Sequence, residues 1–376
     1  MKKTIENITV CLVAVFCLLF GILFFAIPKK EFSENENRYL SKLDKPDWES
    51  VKSGTYMNDL TDYVVDHFPG RDLFMGIKTK SDILSGKKQI GNIYIGKDGY
   101  YIEAYNAPKE TQTRIDILKR FSENEALTGK NVQMMLVPTA VTILQEKLPP
   151  FVDSYTVSQL DTIEEIYAGT GISPVRVENI LLEHKDEYIY YRLDHHWTTL
   201  GAYYAYTVYC EEAGLIPESL SGFTGTVVSE EFRGTIYSKV NDYGVKGDSI
   251  TSYSHPEDQL TVTYTDTGEV TSSLYNPEYL EKKDKYSYFL NNLHSLIVVE
   301  NENAVTDRVL VLLKDSYANS MVPFLAHHFK TIYVFDTRSY KSGVAKFLEE
   351  HADVTDVLFL YNMNTFDTDL GIKAVY

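Results

Sequence analysis

Val309-Leu310-Val311-Leu312-Leu313-Lys314-Asp315-Ser316-Tyr317 is the stretch that decides the fold. An unbroken apolar run of this length suits a parallel strand buried on both faces. Met321, Phe324, Leu325 and His328 then recur at spacings of three and four, which predicts a helix near 317–329. Ser316 therefore falls on a strand-to-helix turn, and open parallel sheets bind ligands outside the carboxyl ends of their strands. An exposed hydroxyl beside the N–H groups of a helix start suits a nucleophile with an oxyanion site. Asp315 or Ser316 acting merely as the helix cap accounts for the same residues.

The same rhythm extends outward. Short apolar runs at 332–335 and 357–360 alternate with a helical pattern near 340–351. Upstream, helices are expected near 110–128 and 158–168, and strands at 132–137, closed by Pro138, and near 172–177. Ile93-Tyr94-Ile95 and Tyr100-Tyr101-Ile102 flank Lys97-Asp98-Gly99, a hairpin with glycine supplying positive φ. Residues 50–85 read as two amphipathic helices broken at Phe68-Pro69-Gly70. Tyr-, Thr- and Ser-rich residues 220–300 read as a β-containing insertion. The expected fold class is three-layer α/β with a mainly parallel sheet.

Charge is unevenly placed along the chain. The 376 residues carry a formal charge of −17. Lys2, Lys3, Lys29 and Lys30 against Glu6 make residues 1–30 net positive, so the remainder is more acidic still. That balance excludes a partner recognised through its phosphate backbone, such as nucleic acid. Residues 8–27 form an uncharged apolar run long enough to span the roughly 30 Å hydrocarbon core. No small-x-small site follows it, and no cysteine follows a lipobox-like stretch, which favours an uncleaved signal anchor over a cleaved signal. The expected organisation is a cytoplasmic stub and transmembrane helix at 1–30, a stalk at 31–49 and one domain at 50–376. The expected location is a single-pass anchor in the cell membrane with the domain outside. Cys11 and Cys17 lie in the apolar run, leaving Cys210 alone, so no internal disulfide contributes to the fold.

A second constellation is Arg192-Leu193-Asp194-His195-His196-Trp197-Thr198-Thr199. On an extended segment Asp194 and His196 point to one side. A carboxylate so placed can fix an imidazole tautomer and stabilise its protonated form. A polar turn with a satisfied histidine explains the residues too. A metal set of Asp194, His195 and His196 is disfavoured, because adjacent side chains on an extended chain diverge. Thr198 or Thr199 can cap a helix running through Tyr209 and stopping near Gly214.

The Asp194-His195-His196-Trp197 run resembles the signature of the bacterial DHHW family. It is also similar to the Asp-x-His-Trp motif of the alginate O-acetylation proteins AlgX and AlgJ, whose fold is SGNH-hydrolase-like. Further pieces agree in order: Glu36-Asn37-Arg38, Phe68-Pro69-Gly70-Arg71, Gly96-Lys97-Asp98-Gly99, Val137-Pro138-Thr139, and Lys314-Asp315-Ser316 with Lys in the place of Gly. The resemblance implies Ser316 as nucleophile, His196 as general base and Asp194 as its orienting acid. Arg338, Tyr361, Asn362 and Trp197 become candidates for binding the oxyanion or a sugar, although an ion pair of Arg338 with Asp336 is an equal alternative. It implies O-acetyl transfer to, or acetyl ester cleavage on, a cell-surface or exopolysaccharide. No cofactor and no metal are called for, and a membrane-embedded O-acyltransferase would supply the acetyl group. The alternative is a non-catalytic envelope protein that binds or assembles polysaccharide.

Overall fold

The computed structural model describes residues 2–33, 35–36, 38–106, 108–152, 158–369 and 371–375. Two compact units emerge, one of residues 1–87 with 238–244, the other of residues 88–237 with 245–376. The division falls at 87, whereas the expected stalk ended at 49.

In the first unit, Lys2–Ala26 is a single helix long and apolar enough to cross a membrane. The expected stalk is not simply extended: Phe32–Ser33 pairs antiparallel with Arg38–Tyr39. Arg38 forks onto the buried Asp66 carboxylate, whose Oδ2 also accepts the Ser41 N–H at 2.8 Å. The Arg38 bond and the Ser41 N–H hold Asp66 well below the usual carboxylate range, against its burial. Glu36 bridges Arg38 and Arg71. Two of the ordered motif pieces thus meet in one ion network, with Asn37 outside the described residues. Three helices follow rather than two: Trp48–Ser53, Thr55–Asp66 and Arg71–Leu84. The first pair is split by Gly54 at φ +83, and the last two by Phe68-Pro69-Gly70, as the sequence indicates.

The second unit holds an eight-stranded sheet. In chain order its strands are β1 (Asn131–Val137), β2 (Ser173–Pro174), β3 (Leu260–Tyr264), β4 (Glu269–Thr271), β5 (Leu296–Asn301), β6 (Val309–Lys314), β7 (Thr331–Asp336) and β8 (Asp356–Asn362). Their spatial order is β4-β3-β5-β7-β6-β8-β1-β2. The run β7-β6-β8-β1-β2 is parallel; β4, β3 and β5 add an antiparallel flank. Every residue of β6 and β8 is buried, so both faces of the sheet centre are covered. Phe359 packs edge-on against Phe121 of helix Thr111–Ser122, and Phe335 against Phe347 of helix Val344–Glu350.

Two expectations change here. The stretch 220–300 is not an insertion throughout, because three of its strands complete the main sheet. Only Thr224–Phe232 with Asp248–Ser254 forms a separate hairpin. The helix expected at 317–329 is instead a 3₁₀ turn, Ser316–Ser320, followed by the short helix Val322–Leu325. Pro323 is the reason: it lacks an N–H and is tolerated only in the first turn of a helix, so it opens a new one. The 93–103 hairpin forms as expected, with Gly99 at φ +80.

Candidate active site

Residues 190–197 form a tight turn pinned at its base by backbone bonds Tyr191 N–H to His196 O and Thr198 N–H to Ile189 O, 3.2 and 2.9 Å. Asp248 holds it from the neighbouring hairpin. Its buried carboxylate accepts the Leu193 N–H at 2.8 Å, Arg192 Nε at 3.0 Å and the Tyr188 hydroxyl at 2.6 Å. The stretch is bent rather than extended, so the reason given for divergent histidines fails: the His195 and His196 rings lie 3.9 Å apart. Asp194 folds back on the turn. Its Oδ1 accepts both the His196 backbone N–H at 3.0 Å and the His196 Nδ1 proton at 2.5 Å.

His196 Nε2 lies 2.7 Å from Ser316 Oγ, across 120 positions of sequence. Ser316, His196 and Asp194 are therefore in hydrogen-bonding line, the geometry of a Ser-His-Asp triad. Both imidazole nitrogens are engaged, one by Asp194 and one by Ser316, so the alternative of a metal set at Asp194, His195 and His196 would require breaking this line. Ser316 is half-buried; Asp194 and His196 are buried.

Burial lowers the His196 imidazole below its ordinary 6.5, helped by the neighbouring His195 and opposed by Asp194. A neutral imidazole is the form that can take the serine proton. Burial would raise Asp194, but the two imidazoles and its hydrogen bonds outweigh it and keep the carboxylate ionised. Asp194 Oδ2 accepts the Thr235 N–H at 2.8 Å and its hydroxyl at 3.1 Å. Gly234 leaves room for this, since a Cβ there would stand 2.0 Å from Oδ2.

The other motif residues hold these groups in place. Trp197 is fully buried and donates from Nε1 to Tyr317 O at 2.9 Å and Ser320 Oγ at 3.1 Å, tying the histidine turn to the Ser316 turn. Thr198 caps helix Thr199–Glu212. The Asp315 side chain caps the 3₁₀ turn at Tyr317 N–H and also accepts the Asn362 N–H and side-chain amide, 2.8 and 2.6 Å. The capping reading thus holds for Asp315, and Ser316 is left to face His196. Burial pushes Asp315 up to about 6.

Of the proposed sugar or oxyanion contacts, the structure assigns four different positions. Asn362 serves Asp315. Tyr361 is buried with its hydroxyl 2.6 Å from Thr337 Oγ1. Trp197 is buried as described. Arg338 forks onto Asp336 at 2.8 and 2.5 Å, the ion-pair alternative, yet its charge still bears on His196 and Asp315. Lys314, where the resembled motif has Gly, is buried and directed to Asp336, its lateral neighbour on β7, at 3.5 Å.

Four contributors escaped the sequence reading: Gly234, Thr235, Asp248 and Tyr286. The Tyr286 ring stacks on His196 at 3.7 Å and 9°, and its hydroxyl donates to Ser316 O at 3.0 Å. None lies within a motif, and a lone tyrosine in a tyrosine-rich chain carries no signal.

Comparison with known proteins defines the class. The DHHW protein family model matches residues 85–335, and the chain belongs to that family. A DHHW family protein from Eubacterium siraeum is similar in structure, with TM-score 0.66 and 29% identity over 76% of this chain and 96% of that one. Bacillus cereus PatB1, solved with a sulfonyl adduct, superposes at TM-score 0.62 and 21% identity over 77% and 100%. The O-acetyltransferase domain of Pseudomonas putida AlgJ is more remote, at TM-score 0.46 and 10% identity over 74% and 93%. No curated protein sequence matched.

Proposed function

We propose that this chain is a membrane-anchored, extracytoplasmic O-acetyltransferase or acetylesterase acting on a cell-surface polysaccharide, with an SGNH-hydrolase-like catalytic domain. The observation that carries the reading is the line Ser316 Oγ, His196 Nε2, His196 Nδ1, Asp194 Oδ1, with gaps of 2.7 and 2.5 Å. Ser316 Oγ attacks the carbonyl of an acetyl donor while His196 takes its proton; the donor oxygen then leaves with that proton, and acetyl-Ser316 remains. In the second half His196 deprotonates a sugar hydroxyl, which displaces Ser316 and carries the acetyl away. Water in its place gives acetate and the esterase outcome. Asp194, kept anionic, stabilises the imidazolium in both halves.

The Lys2–Ala26 helix supports the anchor, and the family resemblance suggests a membrane-embedded O-acyltransferase as the acetyl donor. The test is covalent capture on the full-length chain. A sulfonyl fluoride and an activated acetyl ester should each add one group to the Ser316 peptide by mass spectrometry. Loss of Ser316 from cells should lower surface-polysaccharide acetylation. Folded protein that takes up neither label would overturn the catalytic reading and leave a binding or assembly role.

A further inference from the structure

We infer a divalent transition-metal site, separate from the triad, built from His255, His327 and Glu218. One ligand atom from each of these three residues lies within 4.8 Å of the others. They come from three segments that meet in space: Glu218 from the loop after helix Thr199–Glu212, His255 just after strand Asp248–Ser254, and His327 just after helix Val322–Leu325. Two imidazoles with one carboxylate is a set suited to zinc, leaving a further position for water.

A second observation points the same way. His327 Nδ1 lies 3.0 Å from Asp258 Oδ1, and that oxygen also accepts the Asn301 amide at 3.0 Å. A carboxylate behind a histidine holds the proton on Nδ1 and turns the Nε2 lone pair outward, the support that metal-ligating histidines ordinarily have. The His255 and His327 side chains are each over nine-tenths buried, their rings are 3.8 Å apart, and Phe223 stands edge-on to both. Tetrahedral ligands around zinc stand roughly 3.3 Å apart given bonds of about 2.0 Å, so the ligand ends close inward on binding. His255 then gives up the long 3.3 Å bond that its Nδ1 accepts from the Glu257 N–H. An ion here ties the end of the Thr198-capped helix to the segment that follows the Ser316 turn, bracing both catalytic partners without touching substrate.

The experiment uses the full-length, tag-free chain in detergent, stripped with chelator and titrated with Zn²⁺ alone. One ion should bind per chain and raise the thermal midpoint by several degrees. The His255→Ala/His327→Ala pair should abolish both effects, and Asp258→Asn should weaken binding about 10–100-fold. Should the double variant fail to fold, Glu218→Gln, in a loop, should weaken binding at least tenfold. Asp194→Asn/His195→Ala should bind as the parent does, which separates this site from the triad. Absence of bound Zn²⁺, or binding unchanged in both the double variant and Glu218→Gln, overturns the site. So does a midpoint insensitive to Zn²⁺.

Discussion

Asp194→Asn gives the sharpest test of the triad, because the structure dictates what the amide must do. Oδ1 faces two donors, the His196 backbone N–H and Nδ1, while Oδ2 faces the Thr235 N–H and hydroxyl. An asparagine has one oxygen and one NH₂ for these two places. With its oxygen toward Thr235, the NH₂ meets His196 and forces Nδ1 to accept. The ring proton then sits on Nε2, aimed at Ser316, where it cannot receive the serine proton. Either placement leaves one backbone N–H, that of His196 or that of Thr235, without its acceptor at a cost of about 1–3 kcal/mol. The placement with NH₂ toward Thr235 keeps the tautomer but takes the negative charge from the imidazolium, so both lower turnover. The corresponding change in a serine protease lowers kcat about 10⁴-fold, which is about 5.5 kcal/mol of barrier. The assay is steady-state turnover of a chromogenic acetyl ester by the full-length chain, with circular dichroism and melting as controls for folding. Turnover within tenfold of the parent in a folded variant would refute the role of Asp194 and the line built on it.

Gly234→Ala should act on the same carboxylate from outside: its Cβ meets Asp194 Oδ2 at 2.0 Å, so kcat should fall at least tenfold, whereas parental turnover would show that the carboxylate has slack. The pH profile follows from His196. Its imidazole is lowered by burial, so it stays neutral as pH falls through 6.5, and the acid limb of kcat/KM should lie below that value; an inflection at or above 6.5 would contradict it. Lys314→Met should change stability by less than about 1.5 kcal/mol in denaturant titration, because a volume-conserving swap is tolerated and Asp336 keeps its fork to Arg338. Arg338→Leu leaves the buried Asp336 with the 3.5 Å lysine and the backbone N–H of residue 338 in place of the guanidinium fork, and should cost about 3 kcal/mol; equal losses in the two variants would refute that ranking.

The parts of this protein legible in its sequence are those set by neighbours along the chain. Apolar runs at 132–137 and 309–313 declare doubly buried strands, Gly99 declares its turn, and Thr198 declares its cap, since each depends on backbone geometry within a few residues. The motif runs around Asp194 and Ser316 were equally visible, and likeness to a family named their roles. What local pattern could not supply is pairing at a distance. That β3, β4 and β5 complete the main sheet depends on which edge strand is free to accept them, and alternation alone states no partner. Pro323 is plain in the sequence, but the helical spacing continues past it and hides the break. The 2.7 Å contact between His196 and Ser316 needs the sheet to bring two turns together across 120 residues. Gly234, Thr235, Asp248 and Tyr286 acquire meaning only there. A residue that holds another in place is defined by the space it shares with it, and tertiary packing alone decides that space.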